Sequence, residues 1–131
     1  MASVRILIVD DSPVWRRAVC SMVEGHLDSV IICESSDGLD AVQRSEELQP
    51  HLILLDIHLP NLNGLEAARQ IRKLAPSSKI LFLSSYDQPE LQNEAMSIGA
   101  LGFVTKSGAA RHLLPAISSV LRDEFYFIGG S

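Results

Sequence analysis

Cysteine, positive charge and long apolar runs are all in short supply in this 131-residue chain. Cys20 and Cys33 are the only cysteines, and their separation fits neither a metal-binding spacing nor a paired redox motif. The expectation is two buried free thiols in a reducing compartment. No apolar stretch approaches the ~20 residues needed to cross a bilayer. Met1-Ala2-Ser3 leads directly into a charged strand start at Arg5, unlike a secretory leader, so a cytoplasmic, non-membrane protein is expected. Lysine and arginine number 11 against 16 aspartates and glutamates, a formal net charge of −5. That balance disfavours direct nucleic-acid binding, which needs a basic excess to meet phosphates. Arg16-Arg17 and Arg69, Arg72 and Lys73 read instead as solvated helix faces. No glycine-rich loop follows the first apolar run, which argues against a dinucleotide site.

What the chain does have is a hydrophobic content of 47%, enough for one domain with a substantial core, arranged in short runs. Such runs, separated by helix-length segments, predict buried strands near Val4–Val9, Val30–Glu34, Leu52–Asp56, Ile80–Ser84 and Leu101–Thr105. Helices are predicted near Pro13–Gly25, Gly38–Leu48, Gly64–Ala75, Pro89–Ile98 and Gly108–Leu121. Ser12-Pro13 is a cap followed by a first-turn proline, and Asp37-Gly38 opens the second helix with a capping acid. Gly25 and Gly99 fall where helices should stop. Strict strand–helix alternation predicts right-handed crossovers and a doubly wound parallel sheet with helices on both faces.

Four of the runs end in chemistry. The first runs into Asp10-Asp11, the third into Asp56, the fourth into Ser84-Ser85 and the fifth into Lys106. Ligands in such folds bind at the carboxyl ends of the strands. Three crowded carboxylates repel one another, and a hard divalent cation such as Mg²⁺ relieves that repulsion through oxygen ligands. Asp56 is then either a further ligand or a nucleophile, since carboxylates accept phosphoryl groups. Lys106 and Ser84 would meet the phosphoryl oxygens, whereas strand alternation turns Ser85 away.

The segments Val9-Asp10-Asp11-Ser12, Leu54 to Gly64, Leu83-Ser84-Ser85 and Gly99 to Lys106 together resemble the receiver domain of two-component response regulators. The resemblance covers residues 4–122, and the Lys106-Ser107 pair with an apolar fifth helix is most like the NarL/FixJ type. It implies a flavodoxin-like (βα)5 α/β fold with a five-stranded parallel sheet in the order 2-1-3-4-5. It also implies Asp56 as phosphoacceptor, with Mg²⁺ held by Asp10, Asp11, Asp56 and the His58 backbone carbonyl. Ser84 and Lys106 match the family's hydroxyl and lysine. Phe103 stands at the aromatic switch position, although an ordinary core phenylalanine accounts for it too. His58 and Tyr86, two residues beyond Asp56 and Ser84, are expected to tune hydrolysis of the aspartyl phosphate.

The implied function is phosphoryl uptake from a sensor histidine kinase, followed by a conformational switch controlling transcription in a longer chain. The alternative is a stand-alone receiver acting through protein contacts or a phosphorelay. No enzyme activity on a separate substrate is expected: aspartate-nucleophile phosphatases space their two acids differently. Homodimerisation on phosphorylation is implied, and DNA binding only through an output domain absent from these residues. Serine after Lys106 removes the cis-proline bond common in the family. Val14, Trp15 and Ala18 form either a kinase-docking patch or, for Trp15, packed core. His26, His51 and His112 read as surface or strand-edge histidines. Residues 1–122 form the expected domain, and 123–131, with its Phe125-Tyr126-Phe127 run, is either the start of a linker or a terminus packed on the last helix.

Overall fold

The computed structural model describes residues 3–128. The Gly129-Gly130-Ser131 segment read as a linker start lies outside them. The elements alternate as β1 (Val4–Val9), α1 (Pro13–His26), β2 (Val30–Ser35), α2 (Gly38–Leu48), β3 (Leu52–Leu55) and α3 (Gly64–Leu74). They continue as β4 (Lys79–Ser84), α4 (Pro89–Ile98), β5 (Gly102–Thr105), a 3-10 turn (Lys106–Gly108), α5 (Ala109–Leu121) and β6 (Tyr126–Phe127).

The strands form one parallel sheet in the order β2-β1-β3-β4-β5-β6. The first five stand as expected, and the count of five is corrected to six. After α5 the chain turns through Asp123 at φ 63°, with the Glu124 amide donating to the Ser119 carbonyl (2.9 Å). That turn brings the aromatic tail back along β5, where the Tyr126 amide donates to Leu101 O (2.9 Å) and the Ile128 amide to Phe103 O (3.2 Å).

Side chains alternate across the pleat, so each strand feeds two cores. Leu7, Val9, Ile53, Leu55, Phe82 and Phe103 pack with Ala41 and Val42 of α2, Ala67, Ala68 and Ile71 of α3, and Ala95 of α4. Ile6, Ile8, Leu52, Leu54, Leu81 and Val104 pack on the opposite face with Val19 and Val23 of α1 and Leu113, Ile117 and Val120 of α5. β3 is covered on both faces, with every residue buried, which is why it reads as an unbroken apolar run.

Helix ends follow local chemistry. Ser12, Asp37 and Asn63 each accept the amide three residues on, a cap worth about 1 kcal/mol. Gly99 ends α4 in the left-handed region at φ 107°. α1 runs past the expected stop at Gly25 to His26, because the extended Leu27 closes it by donating to Val23 O. α5 starts one residue later than expected, at Ala109, since Thr105 Oγ1 accepts the Gly108 amide and draws Lys106–Gly108 into the tighter turn. Both cysteines are free as expected but half-buried rather than buried, Cys20 on the flank of α1 and Cys33 on the edge strand β2. Burial, with Glu34 and Glu24 nearby, pushes the Cys20 thiol up. His51 sits at a strand edge, its Nδ1 accepting the Arg5 amide (2.9 Å), while His26 meets Ser118 and His112 meets Tyr126.

Candidate functional site at the carboxyl edge of the sheet

Strand register assembles the site. Val9 pairs with Leu55, so the next residues, Asp10 and Asp56, leave neighbouring strands side by side. The ladder runs on through them: the Asp10 amide donates to Ser35 O (3.1 Å) and the Asp56 amide to Val9 O (3.0 Å). Ser84 ends β4 opposite Thr105 of β5, and Lys106 follows one residue later at the same edge.

Asp10 and Asp56 are buried, at 4% and 5% exposure, while Asp11 stands at the exposed rim. A carboxylate oxygen from each lies within 4.8 Å of the others. Lys106 Nζ donates to Asp10 Oδ2 at 2.7 Å and to Asp56 Oδ2 at 3.1 Å. The other oxygens are also occupied: Asp10 Oδ1 accepts the Ser12 amide (2.9 Å), and Asp56 Oδ1 accepts the Ile57 amide (2.7 Å). Burial pushes the Asp56 carboxyl up, and the Asp10 charge adds to this, against the pull of Lys106 and the Ile57 amide. Burial alone would lower Lys106, but its bonds to Asp10 and Asp56 outweigh it and hold the ammonium above the usual lysine range. Three carboxylates against one ammonium leave two negative charges uncompensated. Hard oxygen donors with an open, water-facing side suit a divalent cation of the Mg²⁺ or Ca²⁺ kind.

Ser84 is fully buried, and its Oγ accepts the Tyr86 amide at 3.1 Å, leaving the hydroxyl proton free to donate elsewhere. Ser85 is exposed, as alternation requires. His58 and Tyr86, on the loops after Asp56 and Ser84, are exposed and touch edge to face with ring centroids 4.6 Å apart. Phe103 is fully buried, its ring 6.3 Å from Phe82 and stacked 6.4 Å from Phe127 of β6.

Two contacts at the site go beyond what the chain suggested: that of Arg16, expected on a solvated helix face, and that of Trp15 with Lys106. Arg16 donates to the Asp10 backbone carbonyl at 2.6 Å and pairs with Glu34 at 3.1 Å. Trp15 is half-buried, and Lys106 Nζ lies 5.3 Å from its ring centroid. Val14 is 74% exposed and Ala18 is exposed, so only the outer part of the expected α1 patch faces solvent. The signal available in the chain was helical phase: Trp15 and Arg16 lie three and four residues past the Ser12 cap, in the turn that opens at the site edge.

Fold and site together define a receiver-type α/β domain, with acids on β1 and β3, a hydroxyl on β4 and a lysine on β5. The chain belongs to the response regulator receiver domain family, which it matches over residues 6–118. It is 33% identical over 121 residues to the transcriptional activator protein ExaE of Pseudomonas putida, covering 92% of this chain and 56% of that protein. It is 30% identical over 124 residues to the uncharacterized transcriptional regulatory protein YxjL of Bacillus subtilis, covering 95% and 57%. The chain thus spans about half the length of these curated relatives. Among solved structures it resembles a LuxR-family two-component response regulator from Aurantimonas sp. SI85-9A1 (TM-score 0.88, 29% identity, 95% of this chain and 89% of that one). It also resembles the response regulator domain of Thermotoga maritima CheB (TM-score 0.78, 32% identity, 93% and 96%). The chain is therefore the receiver domain of a two-component response regulator, with transcriptional regulators among its relatives. Among the described residues, no helix is long and apolar enough to cross a membrane.

Proposed function

We propose that this receiver takes a phosphoryl group from the phosphohistidine of a sensor histidine kinase onto Asp56. An Asp56 carboxylate oxygen forms the new P–O bond as the donor P–N bond breaks. A bound Mg²⁺ supplies charge neutralisation of the phosphoryl oxygens. Asp10, Asp11, Asp56 and the His58 backbone carbonyl would hold it. Lys106, bonded now to Asp10 and Asp56, follows the negative charge onto a phosphoryl oxygen. Ser84 donates its free hydroxyl proton to another, and Phe103 adjusts with it as the switch ring. The paired His58 and Tyr86 rings screen the aspartyl phosphate from water. Chemistry is confined to Asp56 itself, without a separate substrate. The output is control of transcription through a further domain of a longer protein, with homodimerisation on phosphorylation and DNA contacted only by that further domain.

The observation that carries this reading is the buried Lys106 ammonium shared between Asp10 and Asp56 inside a three-acid group. Intact-mass analysis after incubation with Mg²⁺ and acetyl phosphate tests it. A single phosphoryl adduct is expected on the native chain and none on Asp56→Asn. No adduct on a folded native chain, or an adduct that survives in Asp56→Asn, refutes Asp56 as the acceptor.

A further inference from the structure

Trp15 is the one tryptophan of the chain, in the first turn of α1, with its amide held by the Ser12 cap at 3.3 Å. Its side chain packs against the apolar core shared by α1 and α5 and is half-buried. Lys106 Nζ lies 5.3 Å from the ring centroid, within the range at which an aromatic quadrupole attracts a cation. The other two partners of that ammonium are Asp10 and Asp56. Lysine carries a point charge on a flexible four-carbon stem, so its place depends on what surrounds the head group. Here two carboxylates pull the head into the site and one aromatic ring stands beside it.

We propose that Trp15 is a positioning residue for Lys106: its indole keeps the ammonium beside Asp10 and Asp56, where an incoming phosphoryl group meets it. The proposal rests on Asp56 being the phosphoacceptor. A ring that merely fills space is replaced adequately by any apolar side chain of similar reach. A ring that holds a cation is replaced adequately only by another π face. Because this is the sole tryptophan, its emission also reports whether the ammonium is at its side.

The test compares Trp15→Leu, which keeps apolar bulk, with Trp15→Phe, which keeps a π face, each verified as folded by far-ultraviolet circular dichroism. With Mg²⁺ and acetyl phosphate, Trp15→Leu is expected to phosphorylate about 5- to 20-fold more slowly than the native chain, and Trp15→Phe within about threefold of it. Separately, without any phosphodonor, Lys106→Met is expected to shift the Trp15 emission. Lys79→Met should leave it unchanged, because Lys79 is engaged elsewhere, with the Leu121 carbonyl and Asp123. Equal rates in the leucine and phenylalanine variants, or an emission indifferent to Lys106, overturns the proposal. A native chain that takes up no phosphate refutes the Asp56 reading instead, and the emission pair still decides whether Trp15 holds the lysine.

Discussion

An alanine at position 64 would put its methyl carbon 2.8 Å from both the Asp56 carbonyl carbon and the Ile57 Cα, and nearer still to the Asp56 carbonyl oxygen, where ordinary contact begins at 3.4 Å. The obstacle is backbone on both sides, so neither partner can rotate away. Gly64 opens α3, and its amide donates to the Ile57 carbonyl at 2.7 Å, which ties the helix start to the peptide after Asp56. Relief is set by the carbonyl oxygen and requires the α3 start or the Asp56–Ile57 peptide to move by more than about 1 Å. The residues before Asp56 are fully buried and leave no slack on the strand side. Overpacking of this kind costs about 1–3 kcal/mol, and backbone obstruction puts Gly64→Ala near the upper end. A chain of 131 residues has an unfolding entropy of about 0.28 kcal/mol per kelvin, so about 3 kcal/mol lowers the melting temperature by roughly 11 °C. Gly25→Ala is the matched control: nothing lies within 4 Å of its added carbon, and it sits inside α1. It should raise the melting temperature by roughly 2 °C, from the ~0.5 kcal/mol that alanine gains over glycine in a helix. Differential scanning calorimetry reads both. A Gly64→Ala melt within 2 °C of native, or shifts of the same sign in the two variants, would refute the close-approach reasoning.

Lys106→Met leaves two buried carboxylates without their cation and should cost about 3 kcal/mol in metal-free buffer, a melting shift of roughly 11 °C that Mg²⁺ partly restores. In the native chain, Mg²⁺ at ten times its dissociation constant should add about 1.4 kcal/mol, or roughly 5 °C, and chelation should reverse it; no response to Mg²⁺ would count against the acid group as a metal site. Asp40 is held below the usual carboxylate range by the Ser35 hydroxyl (2.6 Å) and by Arg44. A depressed folded-state value means that its contribution is present at neutral pH and is lost as pH falls from about 4 downward. Asp40→Asn should therefore melt below native at pH 7 and converge with it in acid, and a gap that widens in acid would contradict the assignment. Phe127→Ala should cost about 2 kcal/mol by uncovering Phe103. It should also release the Tyr126 and Ile128 amides to hydrogen exchange, whereas retained protection would show that β6 stands without the ring.

The parts of this fold that showed through the bare chain are those with a period or an unbroken run. β3 is apolar throughout because it is covered on both faces, and α3 carries its stripe because one side faces the sheet. Asp10, Asp56, Ser84 and Lys106 were legible because each follows a buried run, and in a parallel sheet the strand ends share an edge. β6 was not legible: two residues have no periodicity, and they form a strand only because β5 offers a free edge and the turn at Asp123 aims them at it. The contacts of Trp15 and Arg16 depend on rotamers and on how α1 leans over the site, which spacing alone does not encode. The meeting of His58 with Tyr86 depends on two loops whose separation follows from the pairing of β3 with β4.

The stack of Phe103 on Phe127 ties the interior of the sheet to its outermost strand. A buried ring has only the room its neighbours leave, so Phe103 cannot leave its place without disturbing β6. Thermodynamic linkage makes that constraint symmetrical. Whatever reorders Phe103 from the acid edge weakens the hold on the strand, and whatever draws the strand away loosens the ring by the same free energy. On the switch role proposed for Phe103, the last two paired residues of the sheet become a port through which binding events at β6 write back to the acids, as well as read from them.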